Sequence, residues 1–210
     1  MQEFHVNRFG FAFLMFWFTL IIITDRAYAE EWSPQGKWLA SVRGGFSLLT
    51  QEVFPNTSSG VGSALNFQAA YGLNKMIAVG LMLEWERRGV DQERPEFDLG
   101  HVDTVSLLPT VEIRPGRFGQ VMPYGSVGIG VNVNSFGESD DLRRAGVRVD
   151  PTNTFAFRLA GGVDIPVTSR LALNTELAWK RNRGGVEIND ADGNFDASTF
   201  NFLFGARYLF

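Results

Sequence analysis

The stretch Ser198-Thr-Phe-Asn-Phe-Leu-Phe-Gly-Ala-Arg-Tyr-Leu-Phe210 decides how the rest of the chain is read. Residues i, i+2 and i+4 of a strand share a face. Phe200, Phe202, Phe204, Ala206, Tyr208 and Phe210 therefore form one face, and Thr199, Asn201, Leu203, Gly205, Arg207 and Leu209 the other. One face is a row of aromatic rings; the other is mixed and carries an arginine. Chain ends ordinarily fray into water. A last residue that is a phenylalanine in phase with the row predicts that this end sits in an apolar solvent.

Strands of outer-membrane barrels alternate apolar-out and polar-in between aromatic girdles. The ending resembles their closing strand, in which a terminal Phe, an aromatic two residues earlier and a Gly three before that form a signal. Here these are Phe210, Tyr208 and Gly205; Leu203 stands where the family often has a polar residue. The resemblance implies that the barrel-assembly machinery reads this signal.

The other end of the chain points the same way. Residues 1–29 have the layout of a secretory signal peptide: Arg8, an apolar run from Phe9 to about Ile23, then Ala27-Tyr28-Ala29 before Glu30. The run of about 15 residues falls short of the roughly 20 that span a bilayer, which argues against an uncleaved anchor. Export without any cysteine excludes a disulfide framework. The segment removed holds Glu3, Asp25, Arg8 and Arg26, so the formal charge stays at −4 and gives no reason to expect nucleic acid. No long apolar run follows, so insertion into a membrane has to be by a closed barrel.

After a polar lead (30–37), alternation begins at Trp38. It recurs in segments near 38–48, 61–71, 77–86, 104–114, 123–134, 155–165, 171–180 and 199–210. Long charged stretches (50–59, 89–100, 136–151, 184–197) alternate with short turns (72–75, 115–120, 166–170). Pro109 lies inside the fourth segment and predicts a bulge or weak point, because proline lacks a ladder donor. The expectation is an all-β chain: a signal peptide (1–29), a short periplasmic lead (30–37) and an eight-stranded antiparallel up-and-down barrel (38–210) with its long loops outside.

The faces differ in charge. Val, Leu, Ile, Phe, Trp and Tyr make up one. The other carries Arg43, Glu84, Glu86, Glu112, Arg114, Arg158, Asp164, Glu176, Lys180 and Arg207 among small and polar residues. So many charges cannot fill a dry core unpaired. Eight strands leave an interior just wide enough for side chains, which favours a mutually neutralising plug over a gated ion path. Trp38, Tyr71, Trp85 and Trp179, with Tyr208 and Phe210, stand where interfacial aromatic belts are expected.

Chemistry finds little footing. His5 leaves with the signal, and His101, near Asp103 and Ser106, reads as a solvated loop-edge residue, since triads are defined by geometry rather than nearness in sequence. Asp190, Asp192, Asn194 and Asp196 have a calcium-loop look, but the glycine and glutamate that complete that motif are out of register. No catalytic, cofactor or metal site is expected.

The chain resembles the small outer-membrane β-barrel superfamily that includes the OmpA transmembrane domain, OmpX and the opacity-type proteins. The resemblance implies an outer-membrane location, contact with membrane lipid and lipopolysaccharide, and loops offered to an unidentified external ligand. The expected function is a structural or surface-interaction barrel; the alternative is a narrow channel for small or hydrophobic solutes, as in the OmpW-like branch.

Overall fold

The computed structural model describes residues 32–53, 57–93, 96–189 and 191–210. The expected signal peptide lies outside them. The strands are β1 (Trp38–Leu49), β2 (Thr57–Ser58), β3 (Gly62–Gly72), β4 (Ile77–Glu93), β5 (Glu96–Ile113), β6 (Met122–Glu138), β7 (Val149–Pro151), β8 (Thr154–Pro166), β9 (Leu171–Arg181), β10 (Arg183–Ile188), β11 (Ala191–Asp196) and β12 (Thr199–Leu209). A short helix, α1, spans Asp140–Arg144.

Eight of these strands close a ring. Each long strand pairs antiparallel with the next, in the order β1, β3, β4, β5, β6, β8, β9, β12, and β12 returns to β1 from Leu39↔Leu209 to Leu49↔Thr199. Closure leaves no strand edge in the wall, the condition for crossing lipid with strands. No described helix is long and apolar enough to cross a membrane.

The alternation read from sequence is the alternation of burial. On β12, Phe200, Phe202, Phe204 and Tyr208 are exposed, whereas Asn201, Leu203, Arg207 and Leu209 are buried. The outer rings interlock edge to face, with centroids 6.1 Å apart for Phe46–Phe204 and 5.7 Å for Phe202–Phe204. At the end where β1 begins and β12 finishes, Trp38 and Tyr71 face each other across β1 and β3, 5.3 Å apart. Trp85 lies under the Arg87 guanidinium, 5.7 Å away, and Trp179 packs on Phe157 at 6.1 Å.

Three stretches expected as loops are ordered instead. The segment 89–100 continues the β4–β5 hairpin, with a register shift at Val90/Asp91 and pairing out to Glu93↔Glu96. The segment 184–197 is the β10–β11 hairpin, which pairs with β7 in a small three-stranded sheet. In 136–151 the strand β6 runs on to Glu138 and helix α1 follows. Ser139 caps that helix by accepting from the Leu142 N–H; Asp140 and Asp141 lie in its first turn, Arg143 and Arg144 in its last. Charge and glycine marked these segments as loops. Their inward residues are apolar, however, and Val53, Val90, Val102, Leu142, Val149, Val186, Phe195 and Ala197 form a second core above the loop end of the barrel.

Pro109 leaves a gap. The β5–β6 ladder passes from Leu107↔Val131 to Thr110↔Gly128 with no registered partner for Leu108 or Pro109. A proline without an N–H cannot complete that rung.

Candidate functional site

Every alternate side chain of the ring points to the barrel axis, so the interior is built from eight strands at once. The inward charged residues, all of them buried, are packed in two layers.

In the layer nearer the start of β1, Arg207 pairs with Glu112 at 3.0 Å and with Asp164 at 2.8 Å. Arg114 reaches Asp164 and Glu112, each at 2.8 Å. The Tyr124 ring lies between the two guanidinium groups, 5.2 Å from Arg114 and 4.7 Å from Arg207. Gly162 makes room for that ring: a Cβ there would come 2.5 Å from the tyrosine oxygen.

In the layer nearer the loops, Glu176 accepts from Arg43 and Arg158, both at 2.6 Å. Arg158 also pairs with Glu84 at 3.2 Å. Lys180 sits 3.2 Å from Glu84 and 3.1 Å from Glu86, and Arg88 closes on Glu86 at 2.7 Å. Arg43 spends its remaining donors on Asn66 and Gln68, at 3.0 and 2.6 Å. Asn201 donates to both Glu84 and Glu86. Tyr124 joins the layers, accepting from Arg43 at 3.1 Å and donating to Glu176 at 2.8 Å.

All ten charges expected in the interior are found there and buried. Arg88 is an eleventh, hidden in the sequence because it fell at the edge of an expected loop. Among the described residues the interior thus holds six cations (Arg43, Arg88, Arg114, Arg158, Lys180, Arg207) and five carboxylates (Glu84, Glu86, Glu112, Asp164, Glu176). Asn66, Gln68, Tyr124, Asn174 and Asn201 supply the neutral hydrogen bonds that such a network needs. Their inward parity was visible in the sequence; their partners were not.

Above the charges lies a neutral layer in which Thr104, Asn132, Asn134, Thr154 and Asn182 bond to one another. An apolar patch of Met82, Leu108 and Ala156 faces the interior. At the end where β1 begins, Trp32 lies inside the mouth of the barrel with Leu39, Ala70, Ala78, Ala172 and Leu209. The lead was read as a short polar, periplasmic segment; its tryptophan is buried because small residues leave a space the indole fills.

Two sets of side chains could carry chemistry by residue type. His101 lies 3.3 Å from Asp103, but both face outward while Ser106 faces inward, so the three do not meet. Lys180 donates to Ser106 at 2.8 Å, and Ser106 in turn donates to Asn132 at 2.7 Å, which commits its proton away from the amine. No group of three or more potential metal ligands occurs among the described residues. Of the acidic run in the last hairpin, Asp190 lies outside the described residues and Asp196 pairs with Arg183 at 2.5 Å. Burial works against the Asp196 carboxylate, but hydrogen bonds from Ser198 and Arg183 outweigh it and hold its pKa below the ordinary aspartate value. The residues expected to form an assembly signal lie at the closing strand: Gly205 faces Arg43 across β1, Tyr208 faces Ala40, and Phe210, just past the strand, donates its N–H to the Trp38 carbonyl at 2.9 Å.

Comparison with solved structures finds the same fold. The outer membrane protein OprG from Pseudomonas aeruginosa aligns with a TM-score of 0.69 at 14% identity, over 86% of this chain and 98% of that one. The Neisserial surface protein A, NspA, aligns at 0.56 and 14%, over 84% and 98%. Ail, the attachment invasion locus protein of Yersinia pestis, aligns at 0.50 and 14%, over 84% and 99%. At these identities the likeness is one of fold. Among curated proteins, sequence comparison finds no match. The family model for the outer membrane protein beta-barrel domain matches residues 24–208. The chain belongs to that family and is a protein of the bacterial outer membrane.

Proposed function

We propose that the protein is a closed outer-membrane scaffold. Its interior is plugged by an acid–base network, and its function lies in the ordered structures displayed outside. In this reading residues 1–29 are removed on export, Gly205, Tyr208 and Phe210 recruit the assembly machinery, and Trp38, Tyr71, Trp85 and Trp179 anchor the wall at the two interfaces. Lipid and lipopolysaccharide surround it. The partner of the outer hairpins is a surface ligand, and no reaction is catalysed.

The observation that carries the reading is pairing: each of the six buried cations lies within ion-pair distance of a buried carboxylate. A charge in a water-filled pore has no need of such a partner, whereas one in a dry interior does. Planar-bilayer recording of the refolded protein, beside Glu84→Gln and Arg158→Gln, tests it. Silence in folded, heat-modifiable barrels is expected. Steady conductance whose ion selectivity moves with either substitution would overturn it.

A second reading, a conduit for hydrophobic solutes, is favoured by the wall at Pro109. A groove of about 700 Å³ on the outer face is lined by Ala69, Gly80, Pro109, Val111 and Ile129, among others. The inward neighbour of Pro109, Leu108, belongs to the apolar interior patch. Uptake of an alkane into vesicles would separate this reading from the first.

A further inference from the structure

The segment ahead of the first strand is built to fit the mouth of the barrel. Pro34-Gln35-Gly36-Lys37 makes a tight turn in which the Lys37 N–H donates to the Pro34 carbonyl at 3.0 Å. Gly36 stands at φ +71°, the left-handed position that a type II turn gives to glycine. The turn is strapped to the end of β3: Gly36 donates to the Gly72 carbonyl at 2.8 Å, and Gly72 donates to the Lys37 carbonyl at 3.0 Å. Position 72 can only be glycine if this strap is to lie flat, because a Cβ there would overlap the Pro34 carbonyl.

The turn aims the preceding chain back toward the axis. Trp32 ends up 2% exposed, its ring 5.4 Å from the Arg114 guanidinium. Ala70, Ala78 and Ala172, from three different strands, are small where the indole sits. The indole N–H has no acceptor among the described residues. The ring is therefore held by packing and by the face of a cation, and none of the bonds that close the wall depends on it.

We propose that Trp32 is a tethered stopper for the periplasmic mouth: an indole carried on the Pro34–Lys37 strap that shuts the narrow end of the barrel and can leave it without opening the wall. Seated, it separates the Arg114–Glu112–Asp164–Arg207 layer from periplasmic water. Withdrawn, it exposes that layer as a charged mouth. The device stands whether or not the layer above it conducts.

The absence of cysteine lets one introduced thiol report alone. Ala172→Cys places a thiol under the indole; Lys37→Cys is the exposed control. Both are made in the full chain, exported by cells and labelled in outer-membrane fragments with a charged, membrane-impermeant maleimide. With Trp32 present, the thiol at 172 should react roughly a hundredfold more slowly than that at 37, as a seat that opens rarely requires. Trp32→Ala should remove most of that protection, and Trp32→Phe should keep it. Gly72→Ala should also remove it with the indole intact, by lifting the strap, and heat-modifiable migration verifies that each barrel is folded. Equal reactivity at 172 and 37 in the otherwise native chain would overturn the proposal, even if no Trp32 variant folds. So would full protection in the folded Trp32→Ala and Gly72→Ala variants.

Discussion

Glu176→Gln is the sharpest perturbation of the plug. It keeps the shape of the side chain and removes one charge from between two guanidinium groups, each 2.6 Å away. The loop-side layer then has four cations (Arg43, Arg88, Arg158, Lys180) against two carboxylates instead of three. Arg158 retains Glu84 at 3.2 Å, but Arg43 has no second carboxylate within ion-pair distance among the described residues. The new amide also turns donors toward donors. Stranding one member of a buried pair costs about 3–5 kcal/mol, a factor between about 10² and 10⁴ in the folding equilibrium. Urea unfolding in lipid vesicles, followed by tryptophan fluorescence and by heat-modifiable migration, reads that change. Adding Arg43→Met removes the stranded cation and should recover a large part of the loss. A cost below about 1 kcal/mol, the range of solvated ion pairs, would mean that water already reaches Glu176, and the closed-interior reasoning would fail.

Three further outcomes follow from particular contacts. Gly162→Ala drives a methyl into the Tyr124 ring and toward the Thr175 carbonyl, and should lower stability by about 1–3 kcal/mol in the same unfolding assay. Deleting Phe210 should leave less folded barrel in the outer membrane while the purified chain still refolds in detergent; an unchanged membrane yield would remove Phe210 from any role in assembly. The Asp196 carboxyl has its folded pKa depressed, so what it contributes to the β10–β11 hairpin is present above the unfolded aspartate pKa and is lost as pH falls through the folded one. Amide protection in that hairpin, taken relative to the intrinsic exchange rate at each pH, should hold at neutral pH and fall only in acid, and Asp196→Asn should abolish that dependence.

Period-two alternation made the ring legible, because an inward position is inward whatever its partner. Ten buried charges could be placed on the inner face from parity alone. Arg88 escaped because charge and glycine around 89–100 looked like a solvated loop, whereas β4 and β5 continue past the wall with Val90 and Val102 still facing in. Tyr124 escaped because its role depends on two arginines carried outside its own strand, Arg114 just past β5 and Arg207 on β12, and on the missing side chain of Gly162. The helix at Asp140–Arg144 had a readable signal in Ser139 and the acidic pair that follows it. Trp32 carried no periodic signal at all: one residue in a polar lead is placed by the turn that follows it, and by a glycine notch and three alanines that belong to distant strands. What the pattern could not supply was therefore pairing across the lumen, and that is where the proposed function rests.

The central claim is that the charged interior is closed to water. Water-edited solid-state NMR of the protein in lipid bilayers, detecting the Arg43, Arg158 and Lys180 side chains, tests it most directly. A closed interior predicts that polarisation from mobile water reaches these groups as slowly as it reaches Leu203 on the same inner face. Transfer as fast as at the exposed Arg143 and Arg144 would reveal a water column and contradict the account.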